Sequence, residues 1–531
     1  MSSDALDIEK ALEETRTLNA SLSSDLEKSL GQIAELKLEL QNEQSKYQNL
    51  LREVYGKKSE KIVEEDPTQI NMFDEAENDS VEIPKPAPTV IPRKKSVDGK
   101  KRGRKSLPAE LEHIECLHDL SDSEKQCPCC GKDRPKIGEE RSEEIEFVPA
   151  HAHVTVHVRM KYGPCKCDDF EESETKTIVT APAPAKIVSG SAFSNQTIAF
   201  FLVAKYVDAL PFYRQESIMA RYGLDIGRGT MAHLAIRAAS RLDRVITAMQ
   251  KDIRVSPFIG MDETVVQVLK EPGRSPTSES RMWVARGFRE EKPIIFFTYN
   301  KSRGGVVAKS ILGDFTGFLQ TDGFSGYQSI GQKPGMTHIG CWAHIRRKFY
   351  HVYENENKDA LAFEMIELIK KLYQSETRLR KKLEDTSISK TEFMKLRKEE
   401  TAPVFDAIQK WLFINAARVP PGSPLGKAIS YAMGQYDRAI RYVEYYLVTP
   451  DNNAVERAIK PFVIGRKNWM FYDSKDGAWA GATLYSILET AKANGHEPYK
   501  YLCYLFEKLP LAKNDEDLTL LLPYILSPEN Y

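Results

Sequence analysis

Between residues 4 and 55 the apolar side chains recur on alternating three- and four-residue steps: Ile8, Leu12, Leu22, Leu26, Ile33, Leu36, Leu40, Tyr47, Leu50 and Val54. That period predicts one long helix. Thr15, Asn19, Ser29 and Glu43 occupy the remaining seam positions, so the seam is imperfect. A coiled coil, and with it self-association, is one reading; a solvated helix packed on its own body is the other.

The pattern then stops. Residues 62–98 are acidic first and proline-rich afterwards, the composition of a linker. A β-like run, EEIEFVPAHAHVTVHVRMKY, follows further on. The segment 194–250 reads as short amphipathic helices, with a turn at Tyr222-Gly223 and a helix opening near Gly229-Thr230. This resembles a helix-turn-helix arrangement, against a plain helical scaffold. From Pro257 the period changes to that of strands: FIGMDETVVQVL, SRMWVARG and KPIIFFTYN, separated by turn residues. GGVVAKSILGDF reads as a helix, GFLQTDG as a fourth strand and MTHIGCWAH as a fifth. Three strands, a helix and a further strand is the order of a ribonuclease H-like core.

The stretch from Ala360 to Leu447 is helix-rich, and TPDNNAVERAIKPFVIGRKNWMF supplies an Asn/Asp cap and a further helix. The expected organisation is a coiled coil over 1–61, a linker with a basic stretch over 62–110, and a Cys-rich domain over 111–180. A helical DNA-binding region over 190–250 precedes the first part of a catalytic core at 255–355. An all-α insertion at 356–448, the rest of the core at 449–510 and a tail at 511–531 complete a multidomain α+β chain.

With 531 residues the chain exceeds one ordinary core. Net charge is −1, so any surface for nucleic acid must come from local clustering. No apolar run approaches the length of a membrane span and the polar N-terminus does not read as a signal peptide; the expectation is a cytoplasmic protein with no membrane partner.

One such cluster is Arg93, Lys94, Lys95, Lys100, Lys101, Arg102, Arg104 and Lys105, opposed by Asp98 alone. It suits DNA phosphates, or is a solvated basic linker. Cys127, Cys129 and Cys130, then Cys165 and Cys167, favour metal over disulfides in a reducing compartment. Cys127 and Cys130 with Cys165 and Cys167 fit a structural Zn²⁺ site, although the second pair is Cys-x-Cys. His151, His153 and His157 are substitute ligands or simple surface, and a metal-free finger is the alternative.

Three acids carry the candidate chemistry. Asp262 lies on the first strand, Asp322 at the end of the fourth, and Glu456 early in the capped helix. Hard carboxylate oxygens suit two Mg²⁺ or Mn²⁺ ions roughly 3.5–4 Å apart, the arrangement of two-metal phosphodiester chemistry. Glu263 competes with Asp262, since successive strand residues point to opposite faces and only one should reach the metals. The 133 positions between Asp322 and Glu456 are too many for a bare loop, which supports the insertion. Arg457, Lys460, Arg466 and Lys467 place positive charge beside Glu456, as a phosphate backbone requires. Asp451, at or before the cap, reads as a capping residue or as one that supports the metal ligands without being one.

At YGKKSEK, the Cys finger, KYVDALPFYRQE, GMDET, LQTDGFSGY, CWAHIRRKF and DNNAVERAIKPFVIGRKNWMF, the chain resembles the insertion sequence 66 family of transposases, within the DDE superfamily. The resemblance runs nearly end to end. It implies a ribonuclease H-like catalytic domain with a helical insertion, and Asp262 rather than Glu263 beside Asp322 and Glu456. It implies binding to terminal inverted repeats and to target DNA, and favours the helix-turn-helix reading. Cys341, His344 and Arg347 match a family segment near the active site, where His344 orients a phosphate or substrate strand or simply starts a packed helix. The family's second cysteine pair is usually Cys-x-x-Cys, where this chain has Cys165-Lys166-Cys167. The expected function is metal-dependent DNA cleavage and strand transfer by a homodimer or higher oligomer, with small accessory proteins of the element as further partners. A structure-specific nuclease and a non-catalytic DNA-binding relic are the alternatives.

Overall fold

The computed structural model describes residues 181–531 apart from Gln328, Ser329 and Asn357, together with 152–162, 178–180 and scattered positions between 16 and 40. The basic run from Arg93 to Lys105 and the cysteines Cys127, Cys130, Cys165 and Cys167 lie outside the described residues. The described positions between 16 and 40 are helical, and Leu22, Ile33, Leu36 and Leu40 are exposed on them. Of the β-like run ending at residue 162, the described part forms a ladder only at Lys161–Tyr162 (β1), antiparallel to Val179–Thr180 (β2).

Four helices follow: α1 (Asn195–Tyr206), α2 (Phe212–Arg221), α3 (Arg228–Arg241) and α4 (Asp243–Arg254). Gly223, at φ +78°, makes the turn between α2 and α3. Ile198, Phe201 and Leu202 of α1, Met231 and Leu234 of α3 and Val245 and Met249 of α4 belong to the same continuous core as the sheet that follows. The α2–turn–α3 unit therefore does not stand off as a lobe. It keeps an outer rim in which Tyr213, Arg214, Arg221, Tyr222 and Arg228 are exposed.

The sheet begins with an antiparallel meander, β3 (Phe258–Lys270), β4 (Glu279–Arg289) and β5 (Lys292–Asn300). Helix α5 (Gly305–Leu312) carries the chain back, and β6 (Gly317–Gln320) and β7 (Met336–Ile339) run parallel to β3. The order is β5-β4-β3-β6-β7. The tip of the β4–β5 hairpin is Glu290-Glu291, both at positive φ (50° and 68°). Two-residue hairpins demand that geometry and normally recruit Asn or Gly for it. Here Glu291 is held from outside: its carboxylate accepts from Tyr446 (2.7 Å) and pairs with Lys390.

After β7, α6 (Trp342–Asn355), α7 (Ala360–Glu384), α8 (Lys390–Ala416) and α9 (Pro424–Ala439) form a helical lobe with its own core around Phe349, Met365, Ile369, Ile408 and Ile429. Phe258 and Phe288 of the sheet join that core. The return of the chain is clamped by Arg397, which is fully buried. Its guanidinium pairs with Glu376 (2.7 and 2.8 Å) and donates to the carbonyls of Tyr442 (3.0 Å), Tyr445 (3.1 Å) and Val448.

The chain re-enters the sheet region as α10 (Asn453–Trp469), β8 (Tyr472–Ser474, parallel to the far end of β3) and α11 (Lys475–Ala493). Helix α11 is buried almost throughout and lies along the free edge of β5. There the Thr490 hydroxyl accepts from Ile295 N (3.0 Å) and donates to Ile295 O (2.9 Å), while Ser486 accepts from Phe297 N (2.7 Å). An open strand edge is thus satisfied by helix side chains. Helices α12 (Pro498–Lys508) and α13 (Asp515–Thr519) follow. The segment 511–531 packs on the body: Leu518, Leu522, Tyr524 and Leu526 are buried, and Tyr524 donates to Asp252 (2.7 Å).

Thr490→Val keeps the side-chain shape and removes the hydroxyl, leaving Ile295 N–H and C=O buried without it. The expected loss is about 1–3 kcal/mol in denaturant unfolding, with Thr490→Ser recovering most of it. Equal stability of the three proteins is the result that removes this account of the edge.

Candidate active site

The register of the parallel strands sets the first two acids level. Gly260 of β3 pairs with Gln320 of β6, and Asp262 and Asp322 each lie two residues further on. With a side-chain period of two, that carries both to the same end of the sheet. Past β6 the Asp322 carboxylate accepts from Phe324 N (3.0 Å), which closes a tight turn. The insertion reaches this turn as well, since Tyr431 of α9 packs directly against Gly323.

The third acid arrives with α10, whose first turn docks on β3. Asn452 caps that helix by position and donates its side-chain amide to Met261 O (2.9 Å). A Cβ on Gly260 would meet Val455 Cγ2 at 2.6 Å and Asn452 Oδ1 at 3.0 Å. Glycine is therefore what lets the helix come this close. Asp451, one residue before the Asn452 cap position, accepts from Asn453 N (3.1 Å) and from the Asn453 side-chain amide (3.0 Å). From below, the buried Cys341 sulfur accepts Asn452 N–H (3.3 Å) and contacts His344 Nδ1 (3.3 Å).

Glu456 sits in the first turn of α10 and faces α6. Its Oε1 is 3.9 Å from His344 Nδ1 and its Oε2 is 3.9 Å from Arg347 Nη2. Oε1 is buried and makes no hydrogen bond. Burial raises the pKa of Glu456, Arg347 opposes the rise, and Asp451 and Asp322 add to it. Asp262 is held well above the usual carboxylate range by burial, against a hydrogen bond from Glu263 N (2.8 Å); Glu263, Asp322 and Glu456 push it further. Burial and the nearby Arg347 lower the pKa of His344, while Asp322 opposes the fall. The structure thus brings Asp262, Asp322, Glu456, His344 and Arg347 into one neighbourhood.

Glu263 lies in the same neighbourhood: burial raises its pKa, hydrogen bonds from Tyr327 and Arg303 oppose the rise, and Asp322 adds to it. Its carboxylate accepts from Arg303 Nε (2.7 Å) and from the Tyr327 hydroxyl (2.7 Å). Arg303 in turn lies over the Phe324 ring (4.0 Å). Both oxygens of Glu263 are satisfied by protein groups, whereas Asp262 has one backbone donor. On the expected cation positions the structure divides. Arg457 and Lys467 are exposed and Lys460 is half-buried. Arg466 points inward, donating to Thr264 Oγ1 (3.2 Å) and to Val265 O, so it ties α10 to β3.

Sequence reasoning missed Arg286. It pairs across the ladder with Gly260, so it shares the face on which α10 docks. Burial and the neighbouring Arg457 push its pKa down to about 10. The period-two pattern of SRMWVARG was the available signal, since it sets this charge on the same face as its apolar neighbours.

The donor set suits a divalent cation. It consists of hard oxygens, one of them buried and unpartnered, and burial with the neighbouring acids raises the pKa of Asp262 and Glu456. Among the described residues no group of three or more His, Cys, Asp or Glu side chains stands close enough together to hold a metal ion as it is placed. No helix among them is long and apolar enough to cross a membrane.

Comparison with known proteins places the chain. The model of the IS66 transposase family matches residues 190–480, more than half of the chain, and that of the IS66 C-terminal element matches 486–524. The zinc-finger binding domain of transposase IS66 matches 124–168, and a model described as transposase C of IS166 homeodomain matches 43–116. The chain belongs to the IS66 transposase family. It is 30% identical to the uncharacterized protein y4qI of Sinorhizobium fredii (strain NBRC 101917 / NGR234), over 81% of this chain and 78% of the relative. It is 28% identical to y4jD of the same strain, over 87% of this chain and 89% of the relative.

The raised carboxyl of Asp262 gives a signed prediction. Because the folded pKa lies above the unfolded one, ionisation costs stability as pH rises from about 4 through the folded value. In metal-free buffer Asp262→Asn is therefore expected to melt above the unsubstituted protein at pH 7. The gap should close below about pH 4, where the carboxyl is protonated in both states. A gap independent of pH would show that charge burial is not its origin.

Proposed function

We propose that this chain is a DNA strand-transferase that cuts and joins the ends of an insertion sequence through Asp262, Asp322 and Glu456. The observation that carries the proposal is the convergence itself: a parallel β3–β6 register and the docked first turn of α10 bring three acids from distant parts of the chain into mutual electrostatic contact. The strand order β5-β4-β3-β6-β7, with an antiparallel meander leading into parallel strands, supports a ribonuclease H-like catalytic domain carrying an all-α insertion.

Asp262, Asp322 and Glu456 are the residues that hold two Mg²⁺ or Mn²⁺ ions in this reading. Such a pair, when bound, lowers the pKa of an attacking water or 3′-hydroxyl and stabilises the leaving oxygen. Glu263 does not take part, because Arg303 and Tyr327 occupy it. Arg347 balances Glu456 and, with His344, orients a phosphate of the substrate strand. Arg457, Lys460 and Lys467 line the approach along α10, while Arg466 holds that helix in place.

Outside the catalytic unit, Cys127, Cys130, Cys165 and Cys167 hold Zn²⁺, a reading supported by the finger match over 124–168. The basic run from Arg93 to Lys105 and the α2–α3 rim contact DNA, with the terminal inverted repeats and the target as substrates. The long N-terminal helix self-associates to pair two ends, and small accessory proteins of the element assist. The site of action is the cytoplasm, at the nucleoid when DNA is bound.

The test is a purified-protein assay with DNA carrying the element's own terminal repeats. Asp322→Asn is expected to lose at least a hundredfold in cutting and joining while keeping DNA affinity. By calorimetry it should also lose Mn²⁺ binding. Normal activity in the variant would falsify the assignment. Equal cutting of DNA without the repeats would instead identify a structure-directed nuclease.

A further inference from the structure

Two guanidinium groups where α10 docks on the sheet have no acid to answer them. Arg286 projects from β4 directly across from Gly260, on the face where Asn452 and Val455 of α10 dock. Arg457 lies two residues beyond Val455 on α10 and is exposed. Among the described residues neither makes an ion pair or a hydrogen bond. The contact recorded for Arg286 is with an aromatic face, its Cζ lying 4.6 Å from the Phe288 ring centre. The Phe288 ring itself is buried and stacked on Phe258 (6.0 Å).

This arrangement is costly in the absence of an anion. A half-buried guanidinium loses hydration, a second one nearby repels it, and each depresses the charged form of Arg286. Buried charges are normally paired, and a planar guanidinium offers a fork of donors that matches two oxygens of one phosphate. Phe288 offers the Arg286 guanidinium a rigid ring face, which leaves its hydrogen-bonding capacity unused by protein acceptors. Elsewhere in the same structure the buried arginine Arg397 is answered by Glu376 and by three carbonyls. Arg286 has no such set.

We infer that Arg286 and Arg457 form an anion subsite that clamps a backbone phosphate of the DNA strand lying across β3 beside the carboxylates. The inference rests on the function proposed above and adds a residue and a contact to it. The subsite lies on the Gly260 side of Asp262, so the phosphate it holds is a neighbour of the reacting one, and its role is positioning. Because Arg286 contacts backbone and not bases, its contribution is independent of sequence.

The experiment measures affinity for end-carrying DNA across a salt series, without divalent metal, in full-length protein that carries Asp322→Asn to prevent cutting. Arg286→Gln is expected to weaken binding several-fold for every sequence and to reduce the slope of log K against log salt by about 0.9, the signature of one lost phosphate contact. Arg457→Gln, at an exposed position, should do the same without risk to folding. Arg286→Lys should keep the slope and lose part of the affinity. Unchanged slope and affinity in Arg286→Gln and Arg457→Gln, with melting like the parent, overturns the subsite and leaves the proposed function standing. Inorganic phosphate binding that depends on Arg286 with no change in the DNA slope also overturns it, since the site then serves a free anion. Failure of the parent protein to bind DNA at all removes the proposed function and the subsite together.

Discussion

The approach of one helix to one strand governs the rest of the molecule. The first turn of α10 rests on β3 at Gly260, where there is no side chain to hold it off, and Asn452 fastens it to Met261 O. Cys341 receives the Asn452 N–H from beneath, and Gln320 donates to Thr449 O (2.8 Å), tying the preceding segment to the end of β6. These contacts draw on β3, β6, the start of α6 and the segment before α10, so the strand ends and the helix start are set as one unit. Glu456 reaches the two aspartates because that unit is set. Charge alone would drive the three carboxylates apart.

That geometry explains the architecture around it. A chain leaving β7 and returning at residue 449 must come back to within a helix diameter of where it left, and the insertion provides the return. Its weight falls on Arg397, whose buried guanidinium gathers the carbonyls of the returning segment and is itself balanced by Glu376. A buried charge so fully bonded specifies one path for the backbone, since any other path leaves the charge unanswered. The lobe also touches the working end of the sheet at two places, through Tyr431 at Gly323 and through Tyr446 and Lys390 at the Glu290-Glu291 hairpin. It is a wall of the site as much as a spacer in the sequence.

Much of this was legible from the order of residues. The strands of FIGMDETVVQVL, SRMWVARG and KPIIFFTYN appear where their period places them, and so do the crossover helix, the two parallel strands and the capped helix bearing Glu456. Alternation says that only one of Asp262 and Glu263 should face a metal; the structure gives Glu263 the donors Arg303 and Tyr327, with Asp322 near both acids. Other features left little trace. The helices over 194–250 read as a helix-turn-helix arrangement or as a plain scaffold, because an amphipathic pattern says that a face is buried without saying against what. Helix α11 carries small and hydroxyl residues whose use, satisfying the edge of β5, depends on a partner two hundred positions away. Arg466 looked like a phosphate ligand, and its inward turn toward Val265 is a matter of helix rotation.

By itself, then, the sequence determined which elements form and which of them carry the candidate side chains. It did so through local physics: period, capping, turn propensity and the hardness of carboxylate oxygens. Tertiary structure decided which of those side chains meet. It set Asp262 level with Asp322 through a parallel register, delivered Glu456 through a glycine-sized gap, satisfied Glu263 within the protein, and left Arg286 beside Arg457 without an acid partner. Those outcomes depend on distances between residues far apart in the chain, and such distances are fixed by packing and long-range hydrogen bonds.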